Sequence, residues 1–266
     1  MPEAVLGGTA CHWRETGRGA VSLLIHSALS HSGIWAGLTP RLTARHLVAP
    51  DLPGHGRSGP MDPERDIHDQ CFEMLAALMD RIGAQDVEVI GHSFGATLAL
   101  RLALAGLPVS RLVLVEPVLF AAAAPHALNA YKTANEPQAT AMAHGNWDSA
   151  ARAFVADWGE GTPWHHIASP QRAYMIERMP FIAASTPSLF QDRSQLLAEG
   201  GLEKLACPTL LVEGSSSPRV ISAIHDALAG RIPDARRVII AGASHMIPVT
   251  HAKALATEVI NLSIPL

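Results

Sequence analysis

Short apolar runs rich in β-branched residues alternate with longer stretches of helical period along most of the chain. The strand-like runs are Val21–His26, His46–Asp51, Val87–Gly91, Leu112–Glu116, Thr209–Glu213 and Arg237–Ala241. Of the intervening segments the clearest is Asp66–Ile82, where Ile67, Cys71, Met74, Leu75, Leu78, Met79 and Ile82 fall on one face of a helix. Strands that alternate with such helices predict an α/β fold, a mostly parallel central sheet flanked by helices. Near the start, Ala4–Leu6 and Thr9–Arg14 flank Gly7-Gly8 and predict an antiparallel hairpin at one sheet edge.

This rhythm breaks after Val118. Helical pieces such as Asp148–Trp158 and Pro170–Ile182 follow one another without a strand until about Gly201, the pattern of an inserted helical cap. The expected division is a first part of the core at residues 1–117, a cap at 118–201 and a second part of the core at 202–266. Residues 120–190 hold nine of the 13 aromatic residues, an enrichment that suits an apolar pocket as well as packing within the cap.

Composition narrows the class. With 48% hydrophobic and 17% charged residues in 266, the chain is neither disordered nor fibrous. A net charge of −4 without a basic run excludes the electrostatic footprint of a nucleic-acid or anionic-membrane binder, so the expected partner is a small molecule; oligomeric state is left open. The opening Met-Pro-Glu-Ala-Val has no basic segment leading into an apolar core, and no stretch approaches the ~18 apolar residues of a membrane span, so the expected location is cytoplasmic. Cys11, Cys71 and Cys207 are widely spaced, without a CxxC pair or a metal-ligand cluster. They read as packing residues, and no metal or cofactor is called for.

The sharpest chemical signal is Gly91-His92-Ser93-Phe94-Gly95, placed after the apolar run Val87–Ile90 and before the helical stretch Ala96–Ala105. G-x-S-x-G between strand and helix lets the backbone turn sharply and leaves the serine hydroxyl above the sheet at the positive end of a helix. The bland alternative is a glycine-rich turn whose serine only caps the helix.

With His26 ending an early strand, Asp51-Leu-Pro-Gly-His-Gly-Arg-Ser58 after the next and Gly242-Ala-Ser-His245 near the end, the chain resembles the α/β-hydrolase family over nearly its whole length. In Glu116-Pro-Val-Leu-Phe120 and His245–His251 it is similar to bacterial serine hydrolases with a helical lid. The resemblance implies Ser93 as nucleophile and His245 as general base and acid. It also implies an oxyanion hole from the Phe94 N–H and a second amide at Ala28, with Leu29 as the neighbouring alternative. Ser27 stands where the family usually has glycine. The acid departs from the common pattern: Ser217 occupies the position expected for Asp, and Ser217 carries no charge. Some α/β-hydrolases, certain haloalkane dehalogenases among them, take the acid from the strand after the nucleophile helix, which here is Glu116; Glu213 on the next strand is the alternative. Asp51 and Arg57 read as structural, His92 as pointing elsewhere on the turn, His165 and His166 as lying on a solvated cap edge, and His251 as capping or packing the last helix.

The expected function is a serine hydrolase cleaving a small or medium carboxylic ester, or a lactone or thioester, through an acyl-enzyme. Carbon–carbon bond hydrolysis or acyl transfer with the same residues, and ligand binding without catalysis, are the rivals. An Asp nucleophile would have indicated dehalogenation or epoxide opening, and Ser93 argues against both.

Overall fold

In the computed structural model, which describes residues 2–262, eight strands form one sheet. They are β1 (Glu3–Leu6), β2 (Thr9–Gly17), β3 (Ala20–Ile25), β4 (Arg45–Pro50), β5 (Val87–His92), β6 (Val109–Val115), β7 (Thr209–Gly214) and β8 (Ala235–Ile240), in the spatial order β1-β2-β4-β3-β5-β6-β7-β8. The β1–β2 hairpin lies at one edge and pairs antiparallel with β4, while every pairing from β4 to β8 is parallel. The strand ends shift by a few residues from the sequence pattern, most at β2 and β6, because β2 pairs along Trp13–Gly17 with β4 through residues that are largely exposed and therefore not apolar.

The central strands read as unbroken apolar runs because both of their faces are covered. Leu23, Ile25, Val87, Val89, Leu112, Leu114 and Leu211 enter one core, and their neighbours Leu24, Ile90, Val113, Val115, Leu210 and Val212 enter the other. On the first face lie α1 (Ile67–Ile82) and α2 (Phe94–Leu104). Asp66 caps α1 by accepting from the His68 and Asp69 amides, and Gly83 ends it in a left-handed conformation.

Between β6 and β7 the described chain forms helices and no strand: α3 (Pro125–Ala134), α4 (Glu136–Ala143), α5 (Trp147–Trp158) and α6 (Ser169–Gln191). The sequence pattern ends the last of these near Ile182, yet α6 continues through Pro180 and Pro187. Tertiary packing overrides the proline penalty, since Met175, Met179, Phe181, Ser185, Ser188 and Leu189 are all buried along its inner side. A small core of Ala150, Ala151, Val155, Met175 and Met179 joins α5 to α6 and reaches Leu29 in the loop after β3. After β7 follow α7 (Arg219–Ala229), the short α8 (Ile247–Thr250) and α9 (Ala252–Leu262); α7 belongs to the first core, and the last two to the second. Among the described residues no helix is long and apolar enough to cross a membrane.

Cys11, Cys71 and Cys207 are free and buried, and burial raises their thiol pKa values, that of Cys11 to about 12. Such thiols pack and do not react.

Several histidines are also buried as neutral rings. Burial pushes His26 down to about 4 and His55, His68 and His225 to about 3, from an unfolded value near 6.5. Because the folded value is the lower one, the unfolded chain takes up protons first. The stability these rings allow is complete above pH 6.5 and is lost as the pH falls toward 4. Urea unfolding should therefore show a free energy lower at pH 5 than at pH 7 by roughly 1.5–2 kcal/mol for each such histidine, against the opposite sign contributed by a buried carboxyl with a raised pKa. An unchanged unfolding free energy across that interval would contradict the buried neutral state.

Candidate active site

The site is assembled at the C-terminal ends of β5, β6 and β7. At the end of β5 the chain turns into α2 through Ser93, whose φ and ψ of 56° and −118° lie outside the regions comfortable for a side chain. Two glycines make this turn possible. A Cβ on Gly91 would overlap the Gly95 carbonyl, and one on Gly95 would overlap the carbonyls of Ile25 and His26. Ser93 is the N-cap residue of α2 but makes no side-chain cap hydrogen bond, so its hydroxyl does not serve as a cap. It lines a cavity together with His245.

His245 and Glu116 meet across that rim. The register pairs His92 with Val115, and the Glu116 N–H donates to Val212 O on β7 at 2.9 Å, so Ser93 and Glu116 leave adjacent strands side by side. Glu116, fully buried and at φ 53°, places Oε2 3.0 Å from His245 Nδ1. Its other oxygen accepts from Gly214 N and Ser217 Oγ, each at 2.7 Å. Ser217, in the position where a negative charge was expected, thus donates to the Glu116 carboxylate. Burial raises the Glu116 carboxyl to about 7 against the lowering effect of those two donors, and burial pushes His245 down to about 3. The imidazole is therefore uncharged at neutral pH, and with Nδ1–H committed to Glu116 its Nε2 is the basic nitrogen. Glu213 is turned to other partners: Arg237 Nη2 at 2.7 Å and, more distantly, His225.

His92 has a part that the sequence did not suggest. Its Nε2 lies 2.8 Å from the His245 carbonyl, an acceptor, so this nitrogen carries the proton and ties the loop bearing His245 to the turn bearing Ser93. Only the long-range contact between residues 92 and 245 reveals it. His165 and His166 are exposed, and His251 ends α8 with its ring on Thr250, as the bland readings had them.

The loop after β3 is held by two neutral histidines. His26 donates from Nδ1 to Ser27 O and accepts the Leu52 N–H on Nε2; His55 donates from Nδ1 to Pro53 O and accepts the Leu29 N–H at 3.1 Å. Leu29, at φ 57°, thereby spends its amide on His55. Ala28 lines the cavity, and among the described residues its N–H and that of Phe94 donate to no protein acceptor. Asp51 is structural: it accepts from the backbone of Ser32 and Arg57 and from His12.

Above these groups lies a cavity of about 370 Å³. Phe94, Val118 and Phe120 form its base, and Tyr131, Met142, Phe154, Trp158, Ile182, Leu189 and Phe190 from the helical insertion form its walls. Trp158 stands edge-on to His245 with ring centroids 4.5 Å apart. Tyr174 ties the insertion to the loops below, donating to Ser30 O at 2.8 Å and accepting from Gly56 N at 3.0 Å. Among the described residues no group of three or more His, Cys, Asp or Glu side chains is arranged to hold a metal ion.

An α/β sheet that carries a strained serine turn, a histidine and a carboxylate on one rim defines a hydrolase-type architecture. The profile of the alpha/beta hydrolase family matches residues 23–258, and the chain belongs to that family. It is similar to the lipase LipV of Mycobacterium tuberculosis, 43% identical over 98 residues, which are 36% of this chain and 37% of the relative. It is also similar to the pimeloyl-[acyl-carrier protein] methyl ester esterase of Nitrosomonas europaea, 41% identical over 106 residues, 39% of this chain and 40% of the relative. These matches span less than half the length of either relative. An alpha/beta hydrolase of Sphaerobacter thermophilus, known from its crystal structure, superposes with a TM-score of 0.71 at 26% identity, over 96% of this chain and 99% of that one.

The contacts of Glu116 and Glu213 separate their expected effects. Glu116→Gln should keep the fold and lower kcat for an ester substrate by roughly 10²–10⁴-fold, because the imidazole loses the partner that fixes its tautomer. Ser217→Ala should cost far less, and Glu213→Gln should lower thermal stability through the lost Arg237 contact with little change in kcat. Steady-state kinetics and thermal melts of the three variants check this; a silent Glu116→Gln would remove Glu116 from the reaction.

Proposed function

We propose that the protein is a serine hydrolase of carboxylic esters that works through an acyl-enzyme. The observation that carries this reading is the 3.0 Å hydrogen bond from His245 to the buried Glu116, beside a serine on a strained turn that opens into an apolar cavity. His245 Nε2 takes the Ser93 proton as Oγ attacks the ester carbonyl carbon, and the carbonyl electron pair moves onto oxygen. The Phe94 and Ala28 amides, one of them at the N-terminus of α2, receive that oxyanion. As the tetrahedral intermediate collapses, the imidazolium gives its proton to the departing alkoxide. Water then repeats the sequence on the acyl-serine, with His245 again as base and then acid.

The helical insertion acts in this reading as a cap that keeps the acyl part out of water. Its aromatic wall favours an apolar acyl or alcohol group of small or medium size, in the usual range for ligand cavities. A lipase and a methyl ester esterase among the relatives support ester chemistry.

A fluorophosphonate should form one covalent adduct, on Ser93, and His245→Ala should abolish it; mass mapping of the labelled peptides decides, and a folded protein that takes up no label at Ser93 would overturn the reading. Against nitrophenyl esters of rising chain length, kcat/KM should climb by up to about 0.8 kcal/mol in binding per methylene until the cavity is full, then fall. Tyr131 separates this cavity from a neighbouring one of about 580 Å³, so Tyr131→Ala should move the optimum to longer chains. A flat profile from acetate to octanoate would contradict an enclosed apolar pocket.

A further inference from the structure

Four of the seven non-glycine residues with positive φ among the described residues border the site: Leu29, Ser93, Glu116 and Glu160. The first three belong to the machinery already described. Glu160, at φ 60°, belongs to the helical insertion, and backbone held in that region by a residue other than glycine marks a position that the surrounding structure enforces.

Its surroundings show what is enforced. Glu160 follows the end of α5, where the Gly159 N–H closes the helix onto Val155 O at 2.8 Å. The left-handed turn sends its side chain down to the loop carrying His245, where Oε1 accepts the Met246 N–H at 2.6 Å across 86 residues of sequence. Trp158, two residues earlier, packs its edge against the His245 ring. The end of α5 therefore grips the base from two sides, with indole on the ring and carboxylate on the next peptide.

We infer that Glu160 is a positioning residue of the reaction, a second carboxylate that fixes the His245 loop from the insertion and stabilises the imidazolium formed when His245 takes the Ser93 proton. The inference rests on the reading of Ser93 and His245 given above. The groups facing His245 are Glu116 from the end of β6, His92 from the end of β5, Ser93 from the turn, and Trp158 and Glu160 from the insertion. His92, buried and neutral, contributes no balancing charge, and Glu116 shares its negative charge between His245 on one oxygen and the Gly214 and Ser217 donors on the other. The imidazolium would form in a buried place, and the Glu160 carboxylate raises the proton affinity of His245 against the larger opposing effect of burial. The insertion then has two tasks, enclosing the substrate and completing the electrostatics of the base.

The test is the rate of Ser93 phosphonylation by a fluorophosphonate at neutral pH, which needs no knowledge of the natural substrate. Glu160→Gln keeps an amide oxygen for the Met246 N–H and removes only the charge. The expected result is a rate roughly 3- to 10-fold slower in Glu160→Gln and a rate near that of the wild type in Glu160→Asp, which keeps the charge and tolerates the left-handed turn. Glu160→Asn should slow the reaction likewise and keeps the test available if the Gln variant is unstable. A Glu160→Gln rate equal to that of the wild type would overturn the proposal, as would an Asp variant as slow as the Gln one, which would reduce Glu160 to a strut. Absence of label on Ser93 in the wild type would instead bring down the hydrolase reading, and this inference with it.

Discussion

The parallel register of β5, β6 and β7 is the constraint on which the site depends. Because these strands run the same way and end at the same level, the residue leaving each one arrives at a common rim: Ser93 from β5, Glu116 from β6 and the Gly214 amide from β7. A slip of one residue in β6 would turn Glu116 to the opposite face of the sheet and leave the His245 ring without its acceptor. Two alternating apolar faces, each buried in its own core, lock that register, so the hydrophobic packing of the sheet and the geometry of the rim are one problem with one solution.

Several polar groups buried on this rim are held by partners that also perform a task. Glu116 would be costly to ionise without the Gly214 and Ser217 donors, and those donors orient it toward His245. The neutral histidines at 26, 55 and 92 work in the same manner, each accepting or donating a backbone hydrogen bond that holds a loop in a conformation the loop would not keep by itself. Low polarity around them keeps the rings uncharged, which is the state in which a single ring can donate from one nitrogen and accept on the other. The dryness that the proposed base requires is thus also the dryness that keeps its supporting loops in place.

The helical insertion is joined to this machinery at its critical loops. Tyr174 bridges the loops after β3 and β4, Leu29 in the first of these packs into the small core of α5 and α6, and Glu160 reaches the peptide after His245. The insertion therefore bears on the geometry of the loop after β3 and of the loop carrying His245 as well as on the shape of the cavity. Its aromatic side chains divide between the two purposes: Phe120, Tyr131 and Phe190 stack among themselves along the cavity wall, while Trp158 lies on the His245 ring.

Much of this was legible in the order of residues. Alternating apolar runs gave the parallel sheet and its edge hairpin, and the seven apolar residues on one face of Asp66–Ile82 gave α1, because periodicity is a local property. G-x-S-x-G between a strand and a helix pointed to Ser93 because a sharp strand-to-helix turn is a local property, although Gly95 is required by the distant carbonyls of Ile25 and His26, and Glu116 was legible as the end of the next strand. What the sequence by itself left open was decided by contacts between distant segments. Which carboxylate, Glu116 or Glu213, faces His245, 129 residues further along from Glu116, and which amide, that of Ala28 or Leu29, is spent on the ring of His55 are both set by such contacts. The continuation of α6 through two prolines depends on what its inner side buries, and the roles of His92 and Glu160 exist only where chain ends meet across the rim. Local pattern fixes which elements form; which side chains come within hydrogen-bonding distance is settled by packing, since a polar group buried by the fold must find its partner wherever the fold has placed one.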